Sequence, residues 1–276
     1  MFLREDTAMV EALSHPFMQR ALLAGVLLST LAGYYGVFVV QRKLSFLGAG
    51  LGHAAFGGIA LGLLMGLQPL WVAIPFTVVV AIAINWVRDH TRLAGDTTIG
   101  IFFSVSVALG ILFLSMKSGS SADAFSYLFG SILSVDKTDL WLSGALVFIA
   151  AITWKTHWGA WAYATFDPEA TRIEGLPTQR QDTLLIILLA LTIVLSVKVV
   201  GILLVAAWVV VPAAAARLLA PTFKTMTQAA ILIAMCSTIV GLLASYVLDL
   251  PSGAVIVLVQ AGVFGIAMIV QSVREN

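Results

Sequence analysis

The stretch GAGLGHAAFGGIALG, residues 48–62, is an apolar, glycine-dense helix candidate with one histidine, His53, near its start. An isolated imidazole at membrane depth costs free energy unless it faces a partner, a cavity or an ion. The glycines around it allow other helices, or a bound ion, to approach the backbone closely. The segment therefore indicates a membrane helix and raises the question of what crosses the membrane beside it.

The composition of the rest of the chain is that of a polytopic membrane protein. Of its 276 residues, 60% are hydrophobic and 11% are charged, whereas a soluble domain carries about 25% charged residues. The net charge of +1 gives no indication of a nucleic-acid partner. The charges in residues 1–16 come before the first apolar run, which is the wrong order for a signal peptide. We expect one transmembrane domain over residues 1–276, with the single cysteine, Cys236, buried as a packing residue.

The apolar runs predict an all-α bundle of about nine membrane-spanning helices, or eight if two neighbouring runs form one broken helix. A span needs about 20 apolar residues, and several of the runs are shorter. The candidates are Phe17–Val40, Gly52–Leu67, Trp71–Val87, Thr97–Ser115, Leu140–Trp154, Asp182–Val197, Val200–Leu219, Gln228–Leu248 and Gly253–Val270.

The basic residues favour an external N-terminus and a cytoplasmic C-terminus. Nine crossings place the termini on opposite sides, and cytoplasmic loops carry an excess of Lys and Arg. With the N-terminus outside, ten of the 15 basic residues are cytoplasmic: Arg42, Lys43, Arg88, Arg92, Lys155, Arg172, Arg180, Arg217, Lys224 and Arg274. Lys198 then falls at the outer end of a span, where we expect its ammonium group to snorkel to the interface.

The segment at about 117–139, on the outer side, reads as a short half-helix. Ser121 or Asp123 can cap it, and Tyr127 and Phe129 give it an apolar face. This pattern fits an outer gate or a docking ledge, and it fits equally well a loop helix that lies on the membrane surface.

The segment at about 158–181, on the cytoplasmic side, contains a short helix with clear boundary signals. Asp167 is the predicted N-cap, Pro168 the first helical residue, and Glu169 lies in the first turn. Gly175 is the predicted C-terminal stop. The residues alone indicate a mixed-charge surface helix between two spans.

Taken together, these segments resemble the permease subunit of bacterial ABC importers for zinc and manganese. The ordered matches cover nearly the whole chain: Gln41–Gly48 leading into His53–Gly62, Ser121–Asp123 through Tyr127–Gly130, Asp167–Glu169 through Gly175–Leu176, Val200–Val205 through Val211–Ala214, and Leu250–Gly253.

The resemblance implies a fold similar to the vitamin B12 importer permeases, in a bacterial inner membrane. It implies a homodimer, two ATP-binding subunits on the cytoplasmic side and an extracytoplasmic metal-binding protein. Zinc or manganese is then the cargo, and this chain binds no cofactor of its own. Because the chain lacks a Gly-x-x-x-x-Gly-Lys-Ser/Thr loop, ATP hydrolysis belongs to another polypeptide, and this subunit is not an enzyme. The implied coupling residues are Asp167, Pro168, Glu169, Arg172, Glu174 and Gly175.

The chain departs from the family at one position that matters. The family usually carries Asp-x-x-x-His at the start of the second helix, which places a carboxylate and an imidazole on one face. Here Ala49 stands at the Asp position, while His53 is kept. His53 is our candidate metal ligand, alone or with its copy in a second protomer. The alternatives are a structural histidine bonded to a backbone carbonyl, and a path that conducts a chelate or only filters ions.

The glycines that follow His53 are assigned to the pathway and to helix packing. Gly57 lies one turn after His53, and we expect it to leave space beside the ring. Gly58 and Gly62 belong to a small-residue stripe of the kind that packs helices.

Two other function classes are weaker. A stand-alone secondary transporter normally carries acidic residues within its spans, and almost none are present here. An intramembrane zinc protease needs a His-Glu-x-x-His motif, which the sequence lacks.

Overall fold

A computed structural model describes residues 15–91, 93–117, 127–131, 134–174 and 178–275. Throughout these ranges the regular secondary structure consists of helices. They are α1 (Pro16–Gln41), α2 (Leu47–Leu64), α3 (Pro69–His90), α4 (Gly95–Met116), α5 (Lys137–Thr156), α6 (Trp158–Phe166), α7 (Pro168–Ile173), α8 (Thr178–Val200), α9 (Val205–Leu219), α10 (Phe223–Leu248) and α11 (Ser252–Glu275).

Several of these helices begin at residues that favour helix initiation. Pro16 and Pro69 occupy the first turns of α1 and α3, where a missing N–H has no cost. The carboxylate of Asp136 accepts from the backbone N–H of Asp139 at the start of α5, and the Asp139 carboxylate accepts from the N–H of Asp136 in return. Thr222 caps α10 in the same reciprocal way. These caps satisfy donors that would otherwise be left unpaired at the helix ends.

Side-chain contacts sort the helix termini into two ends of one bundle. At the Arg42 end, Arg42 after α1 and Arg88 near the end of α3 both approach Asp182 near the start of α8. At the Lys198 end, Lys198 near the end of α8 pairs with Asp139 in the first turn of α5. The long helices of the described chain therefore run between these two ends.

Seven of the described helices are long and apolar enough to cross a membrane by length and composition. The predicted count of about nine is slightly high by that measure. The two predicted spans that fall short are α9, which has only 15 residues, and α5, whose 20 residues include Lys137, Asp139 and Lys155. The α5 helix still connects the two ends, because Asp139 in its first turn pairs with Lys198 and α6, which follows it, contacts Arg42. The α9 helix ends beside α11: its last residue, Leu219, accepts from Arg274, and α11 begins at the Lys198 end, where the Ser252 hydroxyl donates to the Val199 carbonyl oxygen.

The core of the bundle lies along α1, α2 and α8. In their apolar windows 78%, 72% and 72% of the residues are buried, against 17% in α4 and 28% in α11. The outer helices therefore present broad apolar faces to lipid or to a partner. Cys236, on α10, is exposed on such a face, so its predicted burial is wrong.

Candidate metal pathway and coupling elements

Glycines on two sides of α2 set the surroundings of His53. A Cβ atom added at Gly48 would lie 3.1 Å from Ala206 Cα of α9, and one at Gly52 would lie 2.9 Å from Val205 Cγ1. On another side, a Cβ at Gly50 would lie 2.8 Å from Ile99 Cγ2 of α4. At 3.6 residues per turn, the strip of α2 that carries His53 falls between these two contacts.

The His53 side chain is half-buried in the strip between α9 and α4. Its Nδ1 atom lies 3.0 Å from the backbone oxygen of Ala49, and its ring centroid lies 4.3 Å from that of Phe103 on α4. A carbonyl oxygen can only accept, so Nδ1 carries the proton of this hydrogen bond. In the neutral ring the Nε2 lone pair is then available to a metal ion.

The described residues contain no group of three or more His, Cys, Asp or Glu side chains that could hold a metal ion. The backbone oxygen of Ala49 is engaged by the His53 ring itself. One protomer therefore supplies a single imidazole at this position, which is fewer ligands than the three or four that a closed zinc site uses.

The predicted packing glycines lie against neighbouring helices. A Cβ atom at Gly58 would be 2.6 Å from Ala73 Cα, and one at Gly62 would be 2.8 Å from Pro69 Cα, both on α3. At Gly57 it would be 3.1 Å from Phe76 Cε1 and 3.2 Å from the Ser106 carbonyl oxygen. The α3 and α4 helices therefore pack against Gly57, and the expected space beside the His53 ring stays a prediction.

The predicted cytoplasmic helix is present as α7, Pro168–Ile173. The Asp167 carboxylate accepts a 2.9 Å hydrogen bond from the backbone N–H of Ala170, which confirms Asp167 as the N-cap. Pro168 is the first helical residue and Glu169 lies in the first turn, as predicted. Gly175 and the side chain of Arg172 lie outside the described part of the chain.

A hydrogen bond joins α6 to the end of α7. The Tyr163 hydroxyl donates to a Glu174 carboxylate oxygen at 2.9 Å. This bond to an acceptor, with the nearby negative charge, raises the pKa of Tyr163. Phe166 and Ile173 beside it are 60% and 86% exposed. Exposed large apolar side chains of this kind are suited to contact with another protein.

At the Lys198 end, the main chain of residues 127–131 pairs with the break between α8 and α9. The Tyr127 carbonyl oxygen accepts from the Ile202 N–H at 3.0 Å, and the Ser131 N–H donates to the Lys198 carbonyl oxygen at 2.9 Å. Phe129 is 45% exposed beside this pairing. Of the predicted half-helix only residues 127–129 are described as helical, and Asp123 lies outside the described residues.

Lys198 does not snorkel to the interface as predicted. Its ammonium group lies 2.8 Å from Asp139 Oδ2 and 3.3 Å from Asp136 Oδ2, and only 11% of the side chain is exposed. Burial acts to raise the pKa of Asp136, but the backbone hydrogen bond from Asp139 and the charge of Lys198 lower it overall. The sequence signal for this pairing was the capping pattern at the start of α5, since Asp136 and Asp139 bring two carboxylates to the same end.

A family comparison adds to this geometry. The ABC 3 transport family matches residues 14–271 of the chain. The chain belongs to the ABC 3 transport family.

Individual relatives in this family have similar length. The chain is 35% identical to the high-affinity zinc uptake system membrane protein ZnuB of Haemophilus influenzae, over 90% of this chain and 95% of that protein. It is 32% identical to the manganese transport system membrane protein MntC of Halalkalibacterium halodurans, over 93% of this chain and 88% of that protein.

Solved structures have the same fold. PsaBC from Streptococcus pneumoniae, in complex with Fab, superposes with a TM-score of 0.83 at 31% identity and covers 94% of both chains. A putative metal-chelate type ABC transporter in an inward-facing conformation superposes with a TM-score of 0.72 at 15% identity, over 97% of both chains. The second likeness concerns the fold alone, and it supports the predicted all-α permease fold.

Proposed function

We propose that this chain is the membrane-spanning permease subunit of an ATP-driven ABC importer, and that its cargo is a divalent transition-metal ion, zinc or manganese. The observation that carries the proposal is the family match over residues 14–271. Relatives named for zinc uptake and for manganese transport support the choice of cargo. The whole chain acts as one transmembrane domain, and ATP is hydrolysed on a separate partner subunit.

The proposed orientation places the Arg42 end of the bundle in the cytoplasm of a bacterial cell. The N-terminus is then outside and the C-terminus is cytoplasmic. Arg42, Arg88 and Arg274 all lie at this end, in agreement with the excess of basic residues in cytoplasmic loops. The α6 and α7 helices lie at the same end, because Arg42 also donates to Thr165 of α6.

The proposed path runs along the strip of α2 that carries His53, against the same strip of a second protomer. A homodimer places two His53 rings near one twofold axis, so the second copy supplies the ligand that a single protomer lacks. Two imidazoles without carboxylates bind a transition-metal ion weakly, which suits transient passage rather than storage. An extracytoplasmic binding protein delivers the ion to the Lys198 end, where Asp123, Tyr127 and Phe129 contribute to the outer gate or docking surface.

The proposed coupling element is α7 with its flanking residues. One ATP-binding subunit docks on each protomer against the exposed side of Asp167, Pro168, Glu169 and Glu174, with Arg172 and Gly175 as further contributors. Exposed Phe166 and Ile173 add apolar area to this contact.

The test is metal uptake in proteoliposomes that hold the permease, its ATPase and its binding protein. We expect ATP-dependent accumulation of zinc or manganese, measured by mass spectrometry. The His53→Ala variant should lower the initial rate about tenfold, because removal of even a second-shell group at a metal site typically costs about 10–100-fold in affinity or activity. The matched control is His90→Ala, because His90 lies at the end of α3 and stacks on Trp86 instead.

The outcomes separate the competing functions. Equal loss in both histidine variants would contradict a pathway role for His53. Uptake that proceeds without ATP and follows an ion gradient would favour a secondary transporter. Failure to accumulate either free ion, with uptake of a metal chelate under the same conditions, would replace the proposed cargo with a chelate.

A further inference from the structure

The Arg42 guanidinium joins three helices at the Arg42 end of the bundle. Its Nη1 atom lies 2.6 Å from Asp182 Oδ1 of α8. Its Nε atom donates to the Thr165 hydroxyl of α6 at 2.9 Å, and its Nη2 atom donates to the Trp161 carbonyl oxygen of α6 at 3.4 Å. The side chain is 12% exposed. The planar guanidinium can donate all of these hydrogen bonds at once, whereas a Lys ammonium group could make only some of them.

The backbone that follows Arg42 is a tight turn held by several main-chain hydrogen bonds. The Arg42 N–H donates to the Phe38 carbonyl oxygen at 2.9 Å, the Leu44 N–H to the Val39 carbonyl oxygen at 2.9 Å, and the Leu47 N–H to the Leu44 carbonyl oxygen at 2.8 Å. The turn leads directly into α2. A displacement of Arg42 therefore moves α2, because the turn has little freedom to absorb it.

The α6 helix is held to the same place by a second set of contacts. The ring of Trp161 packs edge-on against Phe38 of α1, with centroids 5.7 Å apart, and its indole N–H donates to the Gln181 carbonyl oxygen at 3.0 Å. Since the Tyr163–Glu174 hydrogen bond ties α7 to α6, α7 and Arg42 are linked through one short helix.

We propose that Arg42 is a positioning residue that transmits movement of α6 and α7 to α2 and its His53. The inference rests on the proposed function, in which α7 receives the force of ATP-driven closure. Arg42 converts a shift of α6 at the cytoplasmic surface into a shift of the strip that faces the second protomer.

Asp182 is the fixed point of this linkage. Its second carboxylate oxygen lies 3.8 Å from Arg88 of α3, and the Arg88 guanidinium donates to the side-chain oxygen of Asn85 at 2.8 Å. The Asn85 amide in turn donates to the Thr183 hydroxyl at 3.0 Å. The α3 and α8 helices thus stay joined when Arg42 is substituted. We therefore expect a substitution of Arg42 to weaken coupling while the subunits still assemble.

The experiment measures metal imported per ATP hydrolysed in proteoliposomes that hold the permease, its ATPase and its binding protein. The variants are Arg42→Gln and Arg42→Lys, and the matched control is Lys43→Asn, which removes the neighbouring exposed charge at a left-handed position (φ 57°) that Asn tolerates. Co-purification of the ATPase reports assembly for each variant.

We expect Arg42→Gln to retain the ATPase and its ATP turnover while the metal-to-ATP ratio falls at least fivefold. Arg42→Lys keeps the charge facing Asp182 and should give an intermediate ratio, and Lys43→Asn should match the parent. An unchanged metal-to-ATP ratio in Arg42→Gln would overturn the inference. A loss of uptake that is fully explained by loss of the bound ATPase subunit would also overturn it. If the parent imports no metal while it hydrolyses ATP, the proposed function fails instead.

Discussion

The two ends of the bundle are both closed by charged side chains, but they are built differently. At the Lys198 end, the Lys198 and Asp139 side chains are 11% and 5% exposed, and the main chain packs directly against main chain. At the Arg42 end, Arg88 and Asp182 are 21% and 23% exposed, and long side chains span the gaps between helices. The Lys198 end is therefore held rigidly, whereas the helices at the Arg42 end can shift relative to one another.

Three glycines explain the rigidity of the Lys198 end. A Cβ atom at Gly130 would lie 2.7 Å from the Val199 carbonyl oxygen, and one at Gly201 would lie 2.5 Å from the Leu128 carbonyl oxygen. One at Gly253 would overlap the Val200 carbonyl oxygen. Gly130 and Gly201 also have φ angles of 77° and 90°, which other residues rarely adopt. Movement of helices at this end therefore requires separation of whole backbone segments. At the Arg42 end the helices are joined through side chains, so they can shift without separation of one backbone from another.

The largest effect is expected from Lys198→Met, which leaves the buried Asp139 carboxylate without its cation. Removal of one partner from a buried ion pair costs about 3–5 kcal/mol. We expect a large drop in the thermal unfolding midpoint of the detergent-purified protein. Lys224→Met, at an exposed lysine near the start of α10, is the control and should change stability by less than about 0.5 kcal/mol. Equal midpoints in the two variants would contradict the buried pairing.

A smaller loss is expected from Gly253→Ala. The added methyl group meets the carbonyl oxygen of Val200 at the end of α8, and overpacking of this kind costs about 1–3 kcal/mol. Gly262→Ala on the same helix is the matched control, because no atom lies within 4 Å of a Cβ added there. We expect the control to match or slightly exceed the parent in unfolding midpoint. If Gly253→Ala is as stable as Gly262→Ala, the Lys198 end is less tightly packed than we describe.

The sequence predicted the helices well because hydrophobic length and boundary residues are local signals. Each of the nine apolar runs corresponds to a helix, and Asp167 caps α7 as expected. By length and composition seven of the described helices qualify as spans, slightly fewer than predicted, since the 15-residue α9 is shorter than the roughly 20 residues that a span needs. The outer segment is only partly described, so the gate predicted there stays a prediction.

The site was less predictable because its contacts join residues far apart in the chain. Lys198 was expected to snorkel to the interface, but its partner Asp139 lies 59 residues away, and the capping pattern at the start of α5 indicates the two carboxylates without identifying their cation. Gly57 was expected to leave space beside His53, and its observed neighbour, Phe76, comes from the next helix, which no local pattern indicates. The His53–Ala49 hydrogen bond agrees with the alternative of a histidine bonded to a backbone carbonyl, and the metal role stays a prediction.

The smallest effect is expected at the Arg42 end, from Arg88→Gln. Asp182 keeps its 2.6 Å contact with Arg42 when Arg88 is removed, and a partly exposed pair at 3.8 Å contributes about 0.2–1 kcal/mol. The unfolding midpoint should fall only slightly, and Arg180→Gln, at an exposed arginine in the first turn of α8, should leave it unchanged. A loss as large as that of Lys198→Met would mean that the two ends are equally rigid. A small loss keeps the distinction, because the proposed function requires the Arg42 end to follow α7 during transport, which one strong pair between α3 and α8 would prevent.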